Sequence, residues 1–338
     1  MVAGRPVKVG IVGAGAAAQL SHIPAYARLS NARLVAVCDS DIGKARRVAR
    51  HFAIPLALED YHELLALEDL EAVDICTPNH LHAPIAIAAL EAGKHVLCEK
   101  PFSTSVAEAE AIVRAGEAAK RTVMCAFNNR FRHDSQVLRR FIEKGELGEV
   151  QYARVGWIKR RAGRRQRTWM DRRDTAGGGV LMDIGQQILD LALWLLGQPA
   201  VESVSAWMSS GLVRSDVEDS TVAFLRIEGG RSLTLVASWS FLTEHDVNFV
   251  EIYGSEGTAY LSPLRLIKEM HGQRTNVTPS LESPRNLYRQ SYELEIEHFV
   301  RCVRDGLPTL APGREGAAVM RVVSAIYESA SRGSEVRL

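Results

Sequence analysis

Net charge is nearly missing from this sequence: 41 Lys and Arg stand against 40 Asp and Glu, a formal +1 over 338 residues. A chain so balanced is not built to bind nucleic acid over its whole surface. Cysteine is sparse too. Cys38, Cys76, Cys98, Cys125 and Cys302 contain no CxxC pair, so the spacing supports neither a zinc ribbon nor a thioredoxin-type centre, and no metal site is expected. An odd, scattered set of thiols points to a reducing compartment, the cytoplasm. Uninterrupted apolar stretches are short, as in Ala83–Leu90 and Leu191–Leu196. A membrane helix needs about 18 such residues, so no membrane partner is expected. Val9–Leu20 has the small, apolar character of a signal-peptide core, but only Arg5 and Lys8 precede it and its glycines are spaced for another task. Disorder is excluded by what remains: 46% of residues are hydrophobic, enough to fill a core. At roughly 150 residues per domain, the length suits two domains.

The first 126 residues show a rhythm. Short, near-continuous apolar runs recur at Val7–Val12, Leu34–Cys38, Val73–Cys76, His95–Cys98 and Thr122–Ala126. Such runs suit strands buried on both faces. Helical patterns lie between them at Ile42–Phe52, Pro84–Ala92 and Val106–Lys120. Strand and helix in alternation predict an α/β fold with a doubly wound parallel sheet, a dinucleotide-binding domain over residues 1–126. From 127 to 338 the character changes. Helices are expected at His133–Lys144, Val180–Leu196, Tyr288–Arg304 and Arg314–Ser331. Strand patterns run Glu149–Lys159, Val201–Met208, Thr221–Ile227, Ser232–Ser240, Val247–Tyr253 and Thr258–Leu261, with a hairpin turn at Gly229-Gly230. Strands in succession without crossover helices predict a second, α+β domain built on a large open, mostly antiparallel sheet. Thr275–Pro284 reads as a polar loop.

The segment Gly13-Ala14-Gly15-Ala16-Ala17-Ala18 follows the first strand directly and fits G-x-G-x-x-A. Gly13 would allow the tight turn, Gly15 would let a pyrophosphate approach the backbone, and Ala18 would let the helix pack close. The free N–H groups of Gly13–Ala17 at a helix N-terminus suit phosphate. Asp39 ends the second strand, where a carboxylate accepts from ribose hydroxyls and repels a 2′-phosphate. NAD is therefore the expected cofactor. Asp41 adds a second carboxylate and Lys44 a positive charge, so NADP stays open.

Two more segments follow strand C-termini, where such sheets bind ligands. They are Thr77-Pro78-Asn79-His80-Leu81-His82 and Glu99-Lys100-Pro101. Lys100 is either a surface residue or an acid/base, since burial or a neighbouring charge can tune an amine for proton transfer. His82 is either a packed helix-start residue or a cofactor contact. Together with Gly177-Gly178-Gly179-Val180-Leu181-Met182-Asp183, Asp190 and Gly254-Ser255-Glu256-Gly257-Thr258, these motifs resemble the glucose–fructose oxidoreductase/inositol dehydrogenase/rhizopine catabolism (Gfo/Idh/MocA) family over essentially the whole chain. That resemblance implies a two-domain NAD(P)-dependent oxidoreductase acting on a sugar, sugar derivative or cyclitol. It implies that Lys100 touches both nicotinamide ribose and the reacting hydroxyl, and that the Lys100–Pro101 bond is cis. It places Thr77, Pro78, Asn79, His82, Glu99 and Asn128 on the nicotinamide side, and Lys100, Asp183 and Gln187 around the reacting hydroxyl. Arg130 and Trp169 are further candidates.

One position departs from the family pattern. Asp183 and Asp190 stand, but the histidine expected between them is Gln187. The spacing of four and three puts all three on one helix face. An amide gives and takes hydrogen bonds but carries no proton near neutrality. Either Lys100 then takes the proton with Asp183 holding it, or Asp183 is the base, or the protein is a dinucleotide and sugar sensor without fast turnover. A redox-neutral cycle on tightly held NAD is a further alternative.

Residues 159–173 carry eight basic side chains against Asp171, a local +7 that leaves −6 for the rest of a chain at +1. A charge run is commonly a solvated loop. Its position before the glycine run equally suits an anionic substrate group, held by arginines with Trp169 stacking nearby, or a subunit contact. The broad second sheet suggests a homodimer or homotetramer, as the resembled family implies.

Overall fold

The computed structural model describes residues 5–160, 168–210, 215–281 and 286–338. Six short strands form the first sheet: β1 (Val7–Val12), β2 (Ala32–Cys38), β3 (Leu56–Leu58), β4 (Ala72–Ile75), β5 (His95–Cys98) and β6 (Val123–Cys125). Every pairing is parallel, in the order β3-β2-β1-β4-β5-β6. The chain order reverses between β1 and β4, the switch point of a doubly wound sheet. β4 and β6 are buried throughout, which is why their sequences read as continuous apolar runs. The three-residue edge strand β3 has no expected counterpart, because it is too short and too exposed to show a period.

Register does the positioning. Leu58, Cys38, Val12, Ile75, Cys98 and Cys125 are successive cross-strand partners, one row at the C-terminal ends of all six strands. The ladder continues one step further: Gly13 N–H donates to Cys38 O (2.7 Å), Cys76 N–H to Val12 O (2.7 Å), Glu99 N–H to Ile75 O (2.9 Å) and Ala126 N–H to Cys98 O (2.8 Å).

The second sheet has nine strands: β7 (Val150–Ile158), β8 (Val201–Ser209), β9 (Ser220–Ile227), β10 (Arg231–Ser238), β11 (Val247–Gly254), β12 (Gly257–Leu261), β13 (Arg265–Met270), β14 (Gln273–Asn276) and β15 (Val336–Arg337). Its order is β14-β13-β12-β11-β7-β10-β9-β8-β15. Among the described residues only β7 and β10 run parallel; the other pairings are antiparallel. β13, β14 and β15 were not expected. β14 takes Thr275 and Asn276 from the expected loop. Along β9 buried and exposed residues alternate, as on a sheet with one packed face. Helix Gln186–Leu195 is buried along its whole length. The single helix expected at Val180–Leu196 starts instead as a π-turn, Leu181–Gly185.

Chain contacts group into two units: Met1–Phe131 with Asn286–Ala318, and Arg132–Arg285 with Val319–Leu338. Helix Leu287–Asp305, expected in the second domain over residues 127–338, groups by its contacts with the first unit. Asn128 donates to Ser291 Oγ on that helix (2.9 Å), and the Tyr292 ring lies 5.5 Å from that of His22. No helix among the described residues is long and apolar enough to cross a membrane.

Candidate active site

The cofactor residues expected from sequence leave the first sheet just beyond one row of strand ends. Gly13 has φ +98°, and a Cβ there would sit 2.5 Å from Cys76 O. Gly15 is different: its φ is ordinary, and a Cβ would meet nothing nearer than Cys76 O at 3.9 Å. The chain's own packing demands glycine at 13 but not at 15. Bare backbone at 15 suits a group from outside the chain, which is what a bound pyrophosphate requires. Ala14 is buried, while Ala16 and Ala17 are exposed at the start of the helical turn. Thr77 adds a second sign of fit: its hydroxyl is buried without a hydrogen-bond partner.

Asp39 is braced for an anionic role. Its Oδ2 accepts from Ala14 N–H (2.9 Å) and Lys44 Nζ (2.7 Å), and its Oδ1 accepts from Asp41 N–H (3.1 Å). Burial works to raise the Asp39 carboxyl, but Lys44 and the two N–H groups outweigh it and hold it below the usual range. Asp41 caps helix Ile42–Phe52 through Lys44 N–H (2.9 Å), so its carboxylate has a structural task.

The loops after β4 and β5 are clamped together. The His82 ring nitrogens lie 2.7 Å from Pro101 O and 2.9 Å from Thr77 O. Burial pushes this imidazole below its ordinary range, and a neutral ring donates to one of the two carbonyls at a time. The Lys100–Pro101 peptide is cis, as the resemblance implied. Asn79 is buried and Lys100 half-buried. Glu99 Oε2 accepts from Lys100 N–H (2.9 Å), and its Oε1 lies 2.9 Å from His22 Nε2. His22 Nδ1 in turn lies 2.8 Å from Asp74 Oδ2. His22 was not foreseen. It reaches its partners from the π-turn Ala18–His22, which follows the glycine turn. Arg130 is not open to a ligand as expected: it is fully buried, donates to Leu310 O (2.8 Å) and pairs with Glu315.

In the second unit the glycine run is explained by packing. A Cβ on Gly178 would collide with the Tyr327 hydroxyl, and one on Gly179 with the Glu218 carbonyl. The buried Glu218 carboxylate accepts from Gly179 N–H (2.9 Å), Leu181 N–H (3.0 Å) and Tyr327 Oη (2.8 Å). Burial raises the Glu218 carboxyl despite these donors. This anchor sets the π-turn that carries Asp183. Asp183 Oδ2 accepts from Lys159 Nζ (3.2 Å) and Trp239 Nε1 (3.1 Å). Gln187 is nearly buried, and its Nε2 donates to the backbone oxygen of Asp183 (2.9 Å). Asp190 is buried on the same helix. Glu218, Tyr327 and Trp239 had no motif to mark them, and Lys159 was marked only as the first residue of the basic stretch. Of the basic stretch 159–173, residues 161–167 lie outside the described residues. Of its flanks, Arg172 pairs with Asp174 (2.6 Å) and Trp169 is 37% exposed.

Family models match both halves of the chain: an oxidoreductase-family NAD-binding Rossmann fold over residues 7–127, and the same family's C-terminal alpha/beta domain over 139–338. The chain belongs to the Gfo/Idh/MocA oxidoreductase family. Within it, D-glucoside 3-dehydrogenase of Escherichia coli K12 is 30% identical over 349 residues, covering 98% of each chain. Myo-inositol 2-dehydrogenase of Thermotoga maritima is 24% identical, again over 98% of each. Among solved structures, levoglucosan dehydrogenase in complex with NADH and levoglucosan matches with TM-score 0.90 and 25% identity, over 98% of this chain and 99% of that one. Membership bears out the α/β fold, the oxidoreductase class and NAD as cofactor.

Proposed function

We propose that this Gfo/Idh/MocA protein is an NAD-dependent dehydrogenase that oxidises a hydroxyl-bearing carbon of a sugar, sugar derivative or cyclitol to a carbonyl. The observation that carries the proposal is the placement of Lys100 two residues beyond the row of strand ends that also sets Gly13–Gly15 and Asp39. NAD, when bound, supplies the hydride acceptor. The N–H groups of Gly13–Ala17 would hold its pyrophosphate and Asp39 its ribose hydroxyls. An anionic Asp39 favours NAD over NADP. Thr77, Pro78, Asn79, His82, Glu99 and Asn128 would line the nicotinamide side. Lys100, as a neutral amine, takes the hydroxyl proton while the C–H bond gives up its hydride, so the carbinol loses both hydrogens and becomes a carbonyl. Asp183, supported by Lys159 and Trp239, accepts from substrate hydroxyls. Gln187, engaged with the backbone, tunes that turn without carrying a proton.

The deciding experiment offers NAD with a panel of glucosides, inositols, anhydrosugars and uronates and follows NADH. Expected is turnover of at least one neutral or anionic member. Lys100→Ala should lower kcat by about 10²–10⁴-fold with NAD still bound. Near-normal kcat in that variant would remove Lys100 from the role. Gln187 is the observation that favours the second reading, a sensor. Saturable binding of NAD and sugar with no NADH formed would establish it. NAD that survives purification without net NADH release would mark a redox-neutral cycle.

The five described thiols are all free and buried, which suits a cytoplasmic protein. A second copy of this chain is the proposed occupant of the outer face of the nine-stranded sheet. There Trp207 (53% exposed) pairs across strands with Val222, and Phe224 (39% exposed) lies on the same face.

A further inference from the structure

Most ionisable side chains in a protein interior are neutral or singly paired, because removing a charge from water is costly. One group in the first unit is arranged otherwise. His22 is fully buried, and each of its ring nitrogens faces a carboxylate: Nδ1 to Asp74 at 2.8 Å, Nε2 to Glu99 at 2.9 Å. A carboxylate facing each ring nitrogen favours an N–H on both, and a ring with two N–H groups is an imidazolium. The neighbours are accounted for from every side. Cys76 donates its thiol to Asp74 Oδ1 (3.5 Å), Tyr26 comes from helix Ile23–Tyr26, and Tyr292 and Glu295 come from helix Leu287–Asp305. His22, Asp74 and Cys76 could together ligate a metal by distance. However, Nδ1 is committed to Asp74, and burial first, then Asp74, push the Cys76 thiol up to about 12.

The chain of contacts ends at the residue proposed to move the proton. Glu99 uses one oxygen on His22 and the other on the Lys100 N–H. We infer that His22 is a positioning residue for Lys100: as an imidazolium joining Asp74 to Glu99, it locks the Glu99 carboxylate that holds the Lys100 backbone. The bridge also ties three separate pieces of chain together, namely the π-turn after the glycine motif, the end of β4 and the end of β5. The pKa directions agree with the geometry. Burial opposes charge on His22, yet Asp74 and its neighbours raise it well above its ordinary value. Burial likewise opposes charge on Glu99, yet His22 and Lys100 hold it low.

This inference rests on the dehydrogenase proposal only for its kinetic consequence, so the test has two arms. In the first, ¹⁵N-histidine NMR of the wild-type chain at about pH 8, where an ordinary histidine is neutral, should show one imidazolium signal that His22→Gln removes. In the second, trinitrobenzenesulfonate labelling mapped by mass spectrometry should change at Lys100 by about fivefold or more in His22→Gln, with exposed Lys144 as the unchanged reference. For a substrate that the wild type turns over, kcat should fall by about tenfold or more while NAD affinity stays within about threefold. Where His22→Gln does not fold, Asp74→Asn replaces it. That variant should lose the imidazolium at lower pH than wild type, with Lys100 labelling changing over the same pH range. A wild-type ring that is neutral at about pH 8, or Lys100 labelling unmoved in the folded variant, overturns the inference whether or not any sugar is oxidised. Absence of turnover in the wild type overturns only the dehydrogenase reading.

Discussion

At position 187 an amide occupies the place where the family pattern has a histidine, and the structure shows it bonded to the helix backbone rather than left for chemistry. Gln187→Ala should therefore lower kcat less than Lys100→Ala; steady-state kinetics on one substrate decides, and the reverse order would sink the assignment. Lys159 and Trp239 reach Asp183 across 24 and 56 residues of sequence. Lys159→Met should act mainly on the sugar KM, by about tenfold, because it removes a support of the carboxylate proposed to bind substrate. His22 also has a thermodynamic signature. A group whose folded pKa is raised contributes stability that is complete below its unfolded value of about 6.5 and is lost as pH rises through the folded value. The stability gap between wild type and His22→Gln, measured by urea titration, should thus stay open through neutrality and close only on the alkaline side. None of the pairings made by Lys159, Trp239 and His22 was legible in sequence. Spacing reveals neighbours on one helix or strand, whereas these partners meet only through sheet register.

The two glycines of the turn after β1, the proposed cofactor turn, separate folding from binding within a single element. Gly13→Ala forces a left-handed φ and a collision with Cys76 O, and should cost about 2–4 kcal/mol in a thermal melt. Gly15→Ala has room for its methyl and should melt like the wild type while losing NAD affinity in a fluorescence titration. Equal melting losses in the two variants would remove the distinction. The glycine turn itself was plain in the sequence, as were β1, β5 and helix Ile42–Phe52, whose bounds match the expected ones. β13 and β14 were not, because strands such as Arg265–Met270, which mixes polar and apolar residues on both faces and ends in exposed residues, lack a clear period. The π-turns escaped notice for a different reason: five residues at the start of a helix are too few to show a period of their own.

Across the whole molecule, what matters is which surfaces are closed and which are open. The described thiols are closed. Burial first, with Asp74 or nearby carboxylates adding to it, pushes Cys38 and Cys76 up to about 12, and Cys98 and Cys302 are raised as well. The native chain should react slowly with Ellman's reagent at mild alkaline pH and release all its thiols only on unfolding; rapid native labelling would contradict the buried row. The outer face of the large sheet is open. Trp207→Glu and Phe224→Arg should split the proposed dimer, read by light scattering, without lowering the melting temperature by more than a few degrees. A monomeric wild type would refute the proposed occupant. The parallel row ending in Val12, Cys38, Ile75, Cys98 and Cys125 has an evolutionary consequence. Deleting one residue before that row in β5 would draw Lys100 back by about 3.3 Å and turn its neighbours to the opposite face. Substitutions beyond the row leave the ladder intact. Lineages of this chain can thus explore new substrates by point changes and by insertions after the strand ends, but an insertion or deletion before them would cost cofactor and substrate chemistry at once.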